Sequence, residues 1–245
     1  MPRKTYLAAF GACGIAMMAS SPAQAEPRGV IELFTSQGCS SCPPADKLLG
    51  ELANDPSLVT ISLPVDYWDY LGWKDTLGDA RNTERQRAYA RGRGDRQVYT
   101  PQAVVNGAVH AVGSDKAEID GALAQTRRDA ATLSVPVSVS MAGSELVIDV
   151  AGKENSSAAE VWIYGVASAV PVAVGRGENR GRTVTYHNVA RRWLKLGDWI
   201  GKPMNWKVQL SQITAEGVDS AAVFVQAGAA GNPGKMLGAA MTRLR

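Results

Sequence analysis

Two textures of apolar spacing divide the chain. Before residue 130, short unbroken apolar runs alternate with segments of helical spacing. Residues 30–35 and 58–65 read as buried strands, with Pro64 closing the second. Leu48, Leu49 and Leu52 continue an apolar helical face that begins after Pro43 and Pro44, residues tolerated in a first helical turn. Residues 82–93 form a second helical segment, with Thr83 and Gln86 spaced as a capping box and Tyr89 turned inward. Residues 98–113 hold two short strands around an Asn106-Gly107 hairpin turn. Asp115 and Glu118 then cap a last helix running to Arg128. The predicted order is β-α-β-α-β-β-α, a mixed sheet with helices on both faces.

From Leu133 onward the pattern alternates. Val135, Val137 and Val139 are spaced for one buried strand face, and Leu146, Ile148 and Val150 repeat the spacing. Residues 161–167, 170–174, 183–189, 205–210, 221–226 and 237–243 supply further strands, and 189–200 has room for a short helix. This half predicts an all-β sandwich of about seven or eight strands. The expected division is therefore an α/β domain over residues 26–130 and a β-sandwich-like domain over 131–245.

The first 25 residues belong to neither. Arg3 and Lys4, an apolar stretch from Leu7 to Met18, and Ala23-Gln24-Ala25 have the three parts of a signal peptide. Gly11-Ala12-Cys13 fits lipoprotein processing loosely, as an alternative. No other run is long and apolar enough to span a bilayer. The expected locale is periplasmic or secreted, without stable membrane insertion after cleavage. Formal net charge is +3, and without Arg3 and Lys4 it is 24 basic against 23 acidic residues. Such a balance gives no reason to expect a nucleic-acid partner.

Removing residues 1–25 leaves Cys39 and Cys42 as the two cysteines, in the spacing C-x-x-C where the first helix begins. Helix N-termini favour negative charge and so favour a thiolate, the form that attacks disulfides. A lone C-x-x-C also suits half a zinc site, a structural bridge, or chance. A zinc site would need an unusual ligand mixture, because no second pair follows and His110 and His187 are isolated. Export to an oxidising compartment predicts a Cys39–Cys42 disulfide. So short a loop constrains the unfolded chain little, which favours a chemical over a structural role.

The stretch ELFTSQGCSSCPPAD, taken with VYTPQAVVNG some sixty residues later, resembles the thioredoxin-like superfamily over residues 29–128. With VDYWDYLGWKD between them, the wording is similar to a little-characterised bacterial family of secreted thioredoxin-like proteins with a C-terminal β domain. The resemblance implies a cis-proline loop, Thr100-Pro101, facing the cysteines and aligning a substrate backbone. It implies that Cys39 attacks, that Cys42 resolves the mixed disulfide, and that Glu32 is a candidate buried acid/base beneath Cys42; alternation along the strand equally points Glu32 to solvent or a salt bridge. Trp68 and Trp73, in an aromatic loop, read either as a wall gripping an extended peptide or as a hydrophobic cluster over the sheet edge.

The reading is thus an exported thiol–disulfide oxidoreductase acting on protein thiols and disulfides, with no cofactor and no resident metal. Two alternatives stand beside it: a soft-metal protein holding Cu(I) on Cys39 and Cys42, and an interaction module whose disulfide never turns over. The sequence sets neither redox direction nor oligomeric state. The arginines from Arg81 to Arg96 read as a solvated face. Trp193, Trp199 and Trp206 read as core, and the Gly-rich loop 175–182 as a hairpin tip, since it lacks the phosphate-loop spacing.

Overall fold

The chain builds its framework from eleven strands, as a computed structural model describing residues 27–229 and 231–244 shows. The signal-peptide and Cys13 readings fall outside the described residues. In order, the elements are β1 (Gly29–Thr35), α1 (Pro43–Leu52), β2 (Leu58–Pro64), a 3-10 turn at Asp69–Leu71, α2 (Ala80–Arg93), β3 (Gln102–Val105), β4 (Val109–Val112) and α3 (Lys116–Thr126). There follow β5 (Val137–Ala142), β6 (Glu145–Val150), β7 (Ala159–Ala173), β8 (Thr183–Trp199), β9 (Met204–Gln209), α4 (Leu210–Ile213), β10 (Ser220–Ala229) and β11 (Asn232–Arg243).

Local chemistry places the early elements. Asp79 rather than Thr83 starts α2, its carboxylate accepting from the Arg81 N–H, while the Thr83 hydroxyl donates to Asp66 instead. Asp115 caps α3 by accepting from the Glu118 N–H at 3.0 Å. Asn106 and Gly107 turn the β3–β4 hairpin with φ of 51° and 67°, the paired positive values that an Asn-Gly turn supplies.

The expected architecture, a thioredoxin-like β-α-β-α-β-β-α domain followed by a separate sandwich, is not what the chain forms. Of the described residues 43% are strand and 19% helix, and most strands join one eight-stranded mixed sheet in the order β11-β10-β7-β8-β2-β1-β3-β4. A second sheet, β5-β6-β9, is antiparallel throughout. The seam is the edge of β2, where Ser62 registers with Val189 of β8 and the Asn188 amide donates to Thr60 Oγ1 at 2.9 Å. All seven residues of β2 are buried, so it is not an edge strand. Strand periodicity reports which faces are covered but not which strand lies alongside, which is why the continuation was not legible.

Two further expectations change. Residues 161–167 and 170–174 are parts of one 15-residue strand, β7, and 189–200 belongs almost wholly to the 17-residue β8 rather than to a helix. The two form a long antiparallel hairpin, with register shifts at Val161/Trp162 and Gly165/Val166 that bend it, as bulges do.

The core follows from this sheet. Ile31 and Leu33 of β1 pack with Leu48, Leu49 and Leu52 of α1 and with Ile119 and Leu123 of α3. Val30 and Phe34 point to the other face, toward Tyr89 of α2, and join Tyr164, Phe224 and Met236 from the second half. The second sheet covers the far end, where Leu146, Ile148 and Val208 meet Val161, Ile163, Trp199 and Val223. Trp199 is fully buried, and Trp193 stacks on Tyr164 at a centroid distance of 5.5 Å. Among the described residues no helix is long and apolar enough to cross a membrane.

Candidate functional site

Cys39 and Cys42 are joined in a disulfide at the start of α1, with Cα atoms 5.4 Å apart. Residues Ser36 to Gly38 turn the chain out of β1, with the Gly38 N–H on Ser36 Oγ and the Cys39 N–H on the Ser36 carbonyl. Cys42 is the N-cap of α1, and Pro43 and Pro44 form its first turn. Both cysteines are buried: Cys39 is 2% and Cys42 0% exposed. Trp68 packs on the residue before them, where a Cβ on Gly38 would lie 3.0 Å from its own.

The Thr100–Pro101 bond is cis. Cys39 Sγ lies 3.4 Å from Ser41 Oγ, and that hydroxyl is 3.5 Å from the Thr100 carbonyl. The Trp68 indole donates to Thr100 Oγ1 at 2.8 Å, and Tyr70, 77% exposed, stacks on Trp68. Cys39, Ser41, Thr100 and Trp68 are therefore linked in one cluster, with the buried Pro101 next in the chain. Trp73 has a different place. Its indole donates to Gln37 Oε1 at 2.8 Å, and its ring lies under Gly175 and Gly177.

Glu32 is not brought to the cysteines. It projects from β1 with Val30 and Phe34, on the face away from α1, and is 0% exposed. Its carboxylate accepts from Arg85 Nε at 2.6 Å and from the Tyr89 hydroxyl, and Gln226 completes the network.

The chain matches the model of the family "Protein of unknown function (DUF1223)" over residues 30–226. It belongs to that family. No curated protein matches it. Among solved structures it is similar to protein AGR_C_4864 from Agrobacterium tumefaciens, at 38% identity and a TM-score of 0.80 over 89% of this chain and 95% of that one. It shares fold with HBP35 of Porphyromonas gingivalis, at 12% identity and a TM-score of 0.58 over 89% and 76% of the two chains.

In this DUF1223 chain the structure adds groups that the sequence did not single out. Asp46 follows Cys42 by four residues, so the two side chains share a helix face one turn apart. It is 1% exposed, and neither carboxylate oxygen has a hydrogen-bond partner among the described residues. Burial pushes its carboxyl up to about 8 because a charge there has lost its water. The Thr35 hydroxyl, which faces it without reaching hydrogen-bond geometry, offsets part of this, and the charge of Asp75 adds to it. Asp75 is itself raised by burial, although it accepts from the Gln37 and Leu77 N–H groups. Tyr186 of β8 lies in the field of both acids, and burial together with those charges raises its hydroxyl. An aspartate at C-x-x-C-x-x-x-D spacing was visible in the sequence; its burial was not.

The other addition comes from the tip between β7 and β8. Asn179, 1% exposed, donates through Nδ2 to the carbonyls of Gln37 at 3.0 Å and Cys39 at 2.8 Å. Glu178 Oε2 accepts from the Ser40 N–H at 3.2 Å.

Proposed function

We propose that this protein is an exported thiol–disulfide oxidoreductase, working in the periplasm or outside the cell on client proteins. The observation that carries the reading is the setting of the Cys39–Cys42 disulfide. It sits at the start of α1, beside the Thr100 carbonyl, with a buried carboxyl one turn below Cys42. The sequence around the pair resembles that of thioredoxin-like redox proteins, although the chain does not form their fold.

A client thiolate attacks Cys39 Sγ. The Cys39–Cys42 bond breaks, and its electron pair leaves on Cys42. Cys42 takes a proton as it leaves, and Asp46, one turn along α1 and protonated up to about pH 8 by its burial, is the group we assign as its source. A second client thiolate then attacks the mixed disulfide and releases Cys39. The client loses two electrons in forming its disulfide, and the protein gains them as two thiols. Read backwards, the same steps reduce a client disulfide. Thr100 and Pro101 offer backbone beside the sulfur to align an extended client chain, and Trp68 with Tyr70 forms an aromatic wall for it.

The near-complete cover of both sulfurs favours a second reading, an interaction module with an inert disulfide. One experiment separates the two. Cys42→Ser and Cys39→Ser proteins are mixed with client proteins carrying labelled disulfides. Under the exchange reading Cys42→Ser accumulates mixed disulfides and Cys39→Ser traps far fewer. Equal trapping by both, or none by either, sinks it. A wild-type disulfide that resists millimolar dithiothreitol supports the inert module.

A further inference from the structure

The tip of the β7–β8 hairpin is built onto the cysteine loop. Asn179 is buried and spends both its donor contacts on the Gln37 and Cys39 carbonyls, while its Oδ1 accepts from Arg182 Nη1 at 3.4 Å. Backbone bonds from the Val174 N–H to the Arg182 carbonyl and from the Gly181 N–H to the Val174 carbonyl, at 2.9 and 2.8 Å, brace the loop behind it. Gly175 lies flat on Trp73, where a Cβ would come 3.0 Å from the ring, and Trp73 in turn holds Gln37. A solvated hairpin tip has no reason to carry this set of contacts.

Backbone hydrogen-bond donors are scarce around the sulfurs, and the side-chain hydroxyl within reach of Cys39 Sγ is that of Ser41, at 3.4 Å. Pro43 and Pro44 remove two N–H groups from the first turn of α1. The Cys42 N–H goes to the Cys39 carbonyl, and those of Ala45 and Asp46 go to the Cys42 carbonyl. The Ser40 N–H is taken by the Glu178 carboxylate. Covalent geometry puts the nearer oxygen of that carboxylate no more than about 8 Å from Cys39 Sγ. The same tip carries Arg176, Arg180 and Arg182, the last held through Asn179, and the protonated Asp46 and Asp75 lie buried behind the loop.

We propose that Glu178 and Asn179 are positioning residues of the cysteine pair: Asn179 fixes and covers the Cys39 peptide, and Glu178 biases the couple toward the disulfide. This rests on the exchange reading above for its biological use, though not for its measurement. Reducing the pair takes two electrons and two protons, and the reduced form gains whenever Cys39 can hold a thiolate. A neighbouring carboxylate opposes that thiolate, so the couple becomes more reducing. Pairs whose reduced form is stabilised are the strong oxidants.

The test uses the mature chain equilibrated with reduced and oxidised dithiothreitol, as wild type, Glu178→Gln and Asn179→Ala. Glu178→Gln should shift the equilibrium several-fold toward the dithiol, tenfold being about 30 mV for this two-electron couple. It should also speed alkylation of reduced protein at pH 6 several-fold, with both gaps narrowing in 1 M salt. Asn179→Ala should be reduced about tenfold faster, because the cover is loosened. No shift, or the opposite shift, in Glu178→Gln overturns the electrostatic role. An unchanged reduction rate in Asn179→Ala overturns the cover. If wild type exchanges with no client while Glu178→Gln still moves the equilibrium, the oxidoreductase reading falls and this inference stands. If clients exchange and neither variant differs from wild type, this inference falls alone.

Discussion

Glu32 and Arg85 form a buried ion pair, with 2.6 Å between the carboxylate and Nε, on the face of β1 opposite the cysteine helix. Burial disfavours the guanidinium charge, but the facing Glu32 more than restores it, so Arg85 is held well above its usual range. The pair is structural ballast between α2 and the sheet rather than a part of the chemistry.

Arg85→Ala should therefore lower stability by about 3–5 kcal/mol, the cost of leaving one buried charge uncompensated. Urea unfolding followed by circular dichroism measures this. Disulfide exchange per folded molecule should be unchanged, and a selective loss of exchange would return Glu32 to the site.

Asp46 gives a pH signature. Its folded-state value near 8 lies above the unfolded 3.8, so between these the folded state binds the extra proton. The associated stability is fully present below pH 3.8 and is lost as pH rises through 8. Asp46→Asn should remove that loss and raise stability above pH 8, with an upper bound on the order of 5 kcal/mol. Thermal melts at pH 6 and pH 9 check the sign. In client exchange, the same variant should lose the pH dependence near 8.

The seam between β2 and β8 bears on cooperativity. Phe34 and Ile61 share a core with Tyr164 and Phe224, so neither half can lose its packing alone. Unfolding should follow a single transition, coincident by tryptophan fluorescence and far-ultraviolet dichroism. Phe224→Ala should move that transition as a whole, by about 3–5 kcal/mol. Two separated transitions would show independent halves.

Trp68 has two roles that one substitution separates. Trp68→Ala removes the packing on Gly38, beside Cys39, and the bond to Thr100 Oγ1. A small reductant should then reach the disulfide faster, by roughly tenfold, while exchange with an extended peptide slows because its wall is gone. Stopped-flow traces with dithiothreitol and with a peptide dithiol read the two effects separately. Parallel changes in both would mean that Trp68 only packs.

What was legible in the sequence is what local chemistry decides. The Asn106-Gly107 turn, the Asp115 cap and the start of a helix at the C-x-x-C pair all follow from neighbours within four residues. The direction of Glu32, toward the cysteines or toward a salt bridge, was not legible because β1 is covered on both faces. Polar alternation, the usual guide to direction, is missing from such a strand. Asn179 was not legible because its partners lie 140 and 142 residues away, and a Gly-rich loop looks the same whether it waves in solvent or docks. The β2–β8 contact was missed for a related reason. A single backbone register point leaves no mark on side-chain periodicity.

The seam also limits how this chemistry can be moved. A fragment ending at residue 130 keeps both cysteines, Thr100 and Pro101. It would leave β2 with a bare edge, strip Tyr186 from beside the buried aspartates, and release Cys39 from Asn179. Grafted onto another protein, such a fragment would be a sticky, unregulated pair of sulfurs. The length of sequence that carries the motif is shorter than the length that makes it work, and only the whole chain is a portable reagent.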